Sequence, residues 1–194
     1  MPTVMRFLAI CLLLLSASMA SAQSPASRTV EWSAMEEAWK AFSADPSGDN
    51  ANKAYVLLPA FGSVTNVQEG LLVLNLIAEG IGTLESQVFN SERNAVRLAF
   101  RLLLIPDARL VEASNRMLGN LIRFNALLFL EELTNHRDLV PDLAVILGSF
   151  RRELADDKPS QDLEKKLRLK SLEAVAVKQL KSLQGECIRI LKGL

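Results

Sequence analysis

Residues 91–133 constrain the fold of this 194-residue chain more than any other stretch, because apolar residues dominate there and still keep helical spacing. The run reads SERNAVRLAFRLLL, then IPD, then ARLVEASNRMLGNLIRFNALLFLEEL. Apolar positions recurring every three or four residues belong to helices, and a helix apolar on nearly all sides has to be buried against others. The pattern predicts an all-α fold of antiparallel helix pairs, packed as a short helical-repeat array or as an irregular bundle. Pro106 cannot continue a helix and Asp107 can cap the next one, so a sharp corner falls there. The following helix runs over residues 108–118, and Gly119 or Asn120 is its expected interruption before residues 121–133.

Residues 1–22 read as a segment that is removed. One early cation, Arg6, precedes an apolar run over residues 7–15, and small residues close the segment at Ala20, Ser21 and Ala22. This is the three-part layout of a secretory signal peptide. The apolar run is shorter than the roughly 20 residues that a transmembrane helix needs. Residues 23–157 are then expected to form an all-helical core domain, with residues 158–194 as a basic amphipathic helix packed on it. Of two cysteines only Cys187 remains after the leader, so no intramolecular disulfide forms. With no N-x-S/T site past the leader, the expectation is an exported protein, periplasmic or secreted, of a bacterial kind.

Charge is balanced overall and polarised locally. Residues 23–157 carry 12 basic and 18 acidic side chains, whereas residues 158–194 carry 9 basic and 4 acidic. Neither part mixes clustered basic and aromatic residues as a nucleic-acid binder would, so no nucleic acid is expected as a partner.

Along the chain, Ser33 and Glu36 have capping-box spacing, and Trp32, Met35, Trp39 and Phe42 share one helical face that is expected to pack into the core. A turn at residues 45–49 leads to a helix over residues 50–58 that stops at Pro59, and residues 61–63 connect onward. Thr65 and Gln68 repeat the capping pattern before an apolar helix, which Gly80 and Gly82 end. A short helix near residues 84–89 and a cap at Ser91 lead into the central run. Residues 135–138 are expected as a polar loop holding His136, the only histidine, exposed and without metal-ligand spacing. A helix over residues 139–150 follows, with Pro141 in its first turn.

Arg93, Arg97 and Arg101 are four residues apart, which sets three guanidiniums along one side of a helix. Such a row needs counter-ions. They come from an adjoining helix or from an acidic partner protein, and the three arginines are the candidate partner-binding residues of the chain.

Residues 88–104, VFNSERNAVRLAFRLLL, can be laid on residues 132–148, ELTNHRDLVPDLAVILG, and residues 54–58 on residues 100–104. Val96, Arg97, Ala99 and Leu102 look like the second helix of a repeat unit, and Leu139, Val140, Pro141, Leu143 and Leu147 like a first helix. Val111, Glu112 and Ala113, with residues 118–121, have an armadillo-like look. In these residues the chain resembles the HEAT and armadillo families of helical repeats. The resemblance implies a binding or scaffolding surface and no catalysis.

Residues 155–161 read as a linker, and Pro159 and Ser160 as the start of one long helix ended by Gly185. Its apolar face is expected at Leu163, Leu167, Leu172, Ala176, Leu180 and Leu183, with Lys165, Lys166, Lys170 and Lys178 elsewhere. The sequence holds no GxSxG, HExxH or CxxC, and no catalytic residue, cofactor or metal ligand is expected. The expected role is that of a non-enzymatic interaction or scaffold protein with an acidic-surfaced partner. The alternative is a peripheral protein that binds anionic lipid through its C-terminal helix.

Overall fold

The computed structural model describes residues 29–59, 64–140, 142–150 and 156–194. The segment expected as a leader, residues 1–22, the connection at residues 61–63 and Pro141 lie outside the described residues. The described chain is all-α, with nine helices and no strand. They are α1 (Trp32–Ala44), α2 (Gly48–Leu57), α3 (Leu71–Glu79), α4 (Ile81–Phe89), α5 (Arg93–Leu102), α6 (Ala108–His136), α7 (Leu143–Gly148), α8 (Lys158–Glu173) and α9 (Lys181–Gly193).

These helices form a bundle around α6, which touches α3, α4, α5, α7, α8 and α9. Helix α5 fills the space between α2 and α6. Its Ala95, Val96, Leu98, Ala99, Phe100 and Leu102 are buried, which leaves the arginine row on its remaining side. On α1, Trp32, Met35, Trp39 and Phe42 are buried together as their spacing predicts. Asp107 caps α6 by accepting from the backbone N–H of Arg109 and Leu110, so the corner at Pro106 forms as expected.

Several boundaries differ from the sequence expectation, each for a local reason. Helix α1 starts at Trp32, with no side-chain cap from Ser33. The Trp32 indole N–H donates to Asn66 O at 2.8 Å, and that bond anchors the start. Near Thr65 the first turn is a 3₁₀ turn, Val67–Gly70. Asn66 instead bonds both backbone groups of Val30, accepting from its N–H and donating to its carbonyl, each at 2.9 Å. Ser91 adopts a left-handed φ of 62°, and Glu92 caps α5 through Ala95 N at 2.6 Å. The chain reverses at residues 90–92, and that reversal needs a left-handed residue rather than a capping one. The break after α3 falls at Gly80, while Gly82 lies inside α4.

Helix α6 passes through Gly119 without interruption. A Cβ there would lie 2.5 Å from Ile146 O, 2.8 Å from Ser149 O and 2.9 Å from Arg168 Nη1. The glycine therefore serves close approach of α7 and α8, not helix termination. The break comes at Asn125, whose φ of −149° and ψ of 70° are not helical. Its carboxamide oxygen accepts from Leu128 N at 3.0 Å and restarts the helix, and Ser171 Oγ donates to Arg123 O at 2.8 Å. Asparagine competes with the backbone for its own hydrogen bonds, which accounts for a kink at this residue.

The segment read as a loop at residues 135–138 is the end of α6 and a 3₁₀ turn, Arg137–Leu139. The next helix is short because Asp142 caps it at Ala144 N, 2.9 Å away. Residues 158–161 of the expected linker are already helical, since Asp157 accepts from Ser160 N at 3.2 Å. The single C-terminal helix is two. Ala174 ends α8, a 3₁₀ turn follows at Lys178–Leu180, and Gly185 sits within α9. The face of α8 that turns inward carries Glu164, Arg168 and Leu172, while Leu163 stays exposed.

Candidate functional site

The arginine row lies on α5 where that helix meets the second half of α6 and the end of α2. Arg93 donates to Glu132 at 2.6 Å and to Glu131 at 2.5 Å, and Arg97 Nε donates to Glu132 at 2.9 Å. Glu132 is fully buried, so two cations meet one desolvated carboxylate. The hydrogen bonds to Glu131 and Glu132 raise the Arg93 pKa above its ordinary value. The counter-ions of Arg93 and Arg97 thus come from within the chain, from Glu131 and Glu132 of α6.

Arg101, the third member, caps a helix instead. It donates from Nη1 to Leu58 O and from Nη2 to Tyr55 Oη, each at 3.0 Å, and lies 4.5 Å over the Tyr55 ring. A cation at the last carbonyls of α2 complements the negative end of that helix. A pocket of about 350 Å³ opens beside it, lined by Thr29, Tyr55, Val56, Leu58 and Arg101.

His136 corrects the expectation of an exposed loop residue. It is 5% exposed and stacks on Phe100, with ring centroids 5.2 Å apart and planes inclined by 8°. Its Nδ1 lies 2.8 Å from Glu132 O and its Nε2 lies 3.2 Å from Tyr55 Oη. A carbonyl only accepts, so Nδ1 carries the hydrogen and Nε2 accepts from the tyrosine hydroxyl. Burial lowers the His136 pKa, which keeps the ring neutral. The group is therefore committed to joining α2, α5 and α6.

A second polar cluster joins α6, α7 and α8. The fully buried Arg168 donates to Glu164 at 3.2 Å, to Leu147 O at 3.0 Å and to Asn120 Oδ1 at 3.0 Å. Arg123 holds the other oxygen of Glu164 at 2.9 Å. Sequence reading missed this cluster; its one visible signal was the four-residue spacing of Glu164 and Arg168.

No family model, curated protein or solved structure matches this chain.

An open groove with apolar walls lies at the α6 kink. It is lined by Phe124, Asn125, Leu127, Ser171, Ala174 and Val175 and encloses about 500 Å³. Phe124 is 48% exposed and Leu127 39%. Phe124 packs against Phe89 of α4 with centroids 4.3 Å apart, and Phe89 is itself half exposed. Arg123 lies over the Phe124 ring at 5.2 Å. Leu71 and Leu72 of α3 form another exposed apolar spot. Among the described residues no single helix is long and apolar enough to cross a membrane, and no group of His, Cys, Asp and Glu has the arrangement of a metal site.

Proposed function

We propose that the protein is an exported, non-enzymatic interaction protein that takes an apolar segment of a partner protein into the groove at the α6 kink. The observation that carries this reading is the exposed pair Phe89 and Phe124, continuous with Leu127 and the groove floor. Exposed apolar clusters with polar rims mark interaction sites, and aromatic side chains supply most of the energy at such sites. Lys178, exposed and next to Val177 on the groove wall, favours an acidic flank on the partner. The arginine row is not part of this surface, since Arg93 and Arg97 spend their charge on Glu131 and Glu132.

Binding rather than catalysis is favoured by how the reactive side chains are used. His136 is locked into helix packing. Burial pushes the Cys187 thiol up to about 12, so it stays protonated at neutral pH. The helical-repeat reading belongs to the same proposal and is supported by residues 88–104 and 132–148, each of which runs from a helix end through a polar turn into another helix.

The test is capture from the native exported fraction by immobilised protein. A defined protein retained by the wild type and lost with Phe124→Ser supports the reading. Equal retention by both, or none by either, contradicts it. Export itself is tested by N-terminal sequencing of the native protein: a start at Gln23 is expected, and a start at Met1 would contradict it.

A further inference from the structure

Residues 158–194 show a charge surface that the bundle does not neutralise. Each carboxylate in this region is held by a cation of the chain. Asp162 pairs with Lys158 at 2.9 Å, Glu164 with Arg123 at 2.9 Å and Arg168 at 3.2 Å, Glu173 with Lys192 at 3.3 Å, and Glu186 with Arg137 at 3.0 Å. Among the described residues Lys165, Lys166, Lys170, Lys178 and Arg189 enter no ion pair, and Lys181 bonds only the Val175 carbonyl. The fields of Lys165 and Lys166 reach Asp162, whose direct bond is to Lys158.

The orientation of α8 places two of these lysines beside leucines that the core does not use. Leu163, Lys166, Leu167 and Lys170 follow at steps that put them on one helical face. The opposite face sends Glu164, Arg168 and Leu172 into the bundle. Leu163 is consequently 59% exposed, and Lys166 and Lys170 are exposed with it. A helix that buries an ion pair while leaving Leu163 outside has a second amphipathic face without a partner.

We infer that the outward face of α8, with Lys166 and Lys170 beside the exposed Leu163 and the half-buried Leu167, is a docking face for an anionic lipid bilayer. Flexible lysines carry point charges, which suit a fluid layer of headgroups better than a fixed set of carboxylates. Leucines beside lysines can enter the headgroup boundary while the ammonium groups stay at its surface. A stable protein interface needs about 20–30 residues on each side, with an apolar centre, and this face has no such centre.

The test is sedimentation of the full chain with vesicles of pure phosphatidylcholine and with vesicles that also contain phosphatidylglycerol. The leader and its Arg6 are common to every variant, so the change between variants in the preference for anionic vesicles reads the lysines. The expected result is binding to the anionic vesicles that high salt reverses. Lys166→Glu with Lys170→Glu should weaken partition by more than about twentyfold, because each basic residue at an anionic surface contributes about fivefold. Leu163→Ser should weaken it as well. Lys166→Ser with Lys170→Ser provides a second variant with smaller perturbation, and helical circular dichroism checks the fold of each. Phe124→Ser should leave vesicle binding unchanged, which separates this face from the groove. Equal binding to both vesicle types, or binding unaffected by either pair of lysine changes, would overturn the inference. Capture by polyglutamate without vesicle binding would also overturn it and assign the face to an acidic protein.

Discussion

Glu132 of α6 accepts from Arg97 of α5 at 2.9 Å with its own side chain fully removed from solvent. Arg93 reaches the other oxygen at 2.6 Å, so the pair closes the α5 and α6 interface rather than facing outward. Removing one partner of a buried pair leaves an uncompensated charge, which costs about 3–5 kcal/mol when both are buried. Arg97 is a third exposed, so Arg97→Glu should cost roughly 2–3 kcal/mol. A clear fall in the urea midpoint is the expected outcome. An unchanged midpoint would mean that the row is a free surface.

His136 gives the protein a pH dependence whose sign follows from its surroundings. It faces Tyr55 of α2, Phe100, Arg97 and Arg101 of α5, and the carbonyl and carboxylate of Glu132 on its own helix. Burial lowers its folded pKa below the ordinary value of about 6.5, so the unfolded chain takes up the proton first. Stability from this site is therefore complete above about pH 6.5 and declines as pH falls below it. Urea unfolding at successive pH values should show that decline, and His136→Phe should flatten it.

Two glycines should respond in opposite directions. Gly119→Ala places a methyl group against Ile146 O and Ser149 O and should destabilise by about 1–3 kcal/mol. Gly185 lies within α9 with nothing near its missing Cβ, so Gly185→Ala should stabilise by about 0.5–1 kcal/mol. Thermal unfolding of the two variants compares them directly.

What the sequence made legible depended on whether a local pattern decided the outcome. The stripe from Trp32 to Phe42 packs as its spacing demands, and the corner at Pro106 and Asp107 follows from chemistry confined to a few residues. His136 was misread because polar neighbours such as Asn135 and Asp138 look like a loop, while its burial is decided by Phe100 and Tyr55, far away in sequence. The inward face of α8 was misread for a related reason. Leucine spacing favoured Leu163 and Leu167, but Arg168 finds three acceptors across α6, α7 and α8 that no local pattern reveals. The groove was hidden as well, because Asn125 inside a long apolar run gives no sign that its side chain would replace a helical hydrogen bond.

The central claim is that the groove at the α6 kink receives a partner. Its most direct test is a photo-reactive residue placed at Leu127, irradiated in the native cell fraction that holds the protein, with the same residue at exposed Val56 as the control. The account predicts one adduct of defined mass from position 127, lost when Phe124→Ser is added, and no such adduct from position 56. No adduct from position 127, or the same adduct from both positions, would contradict it.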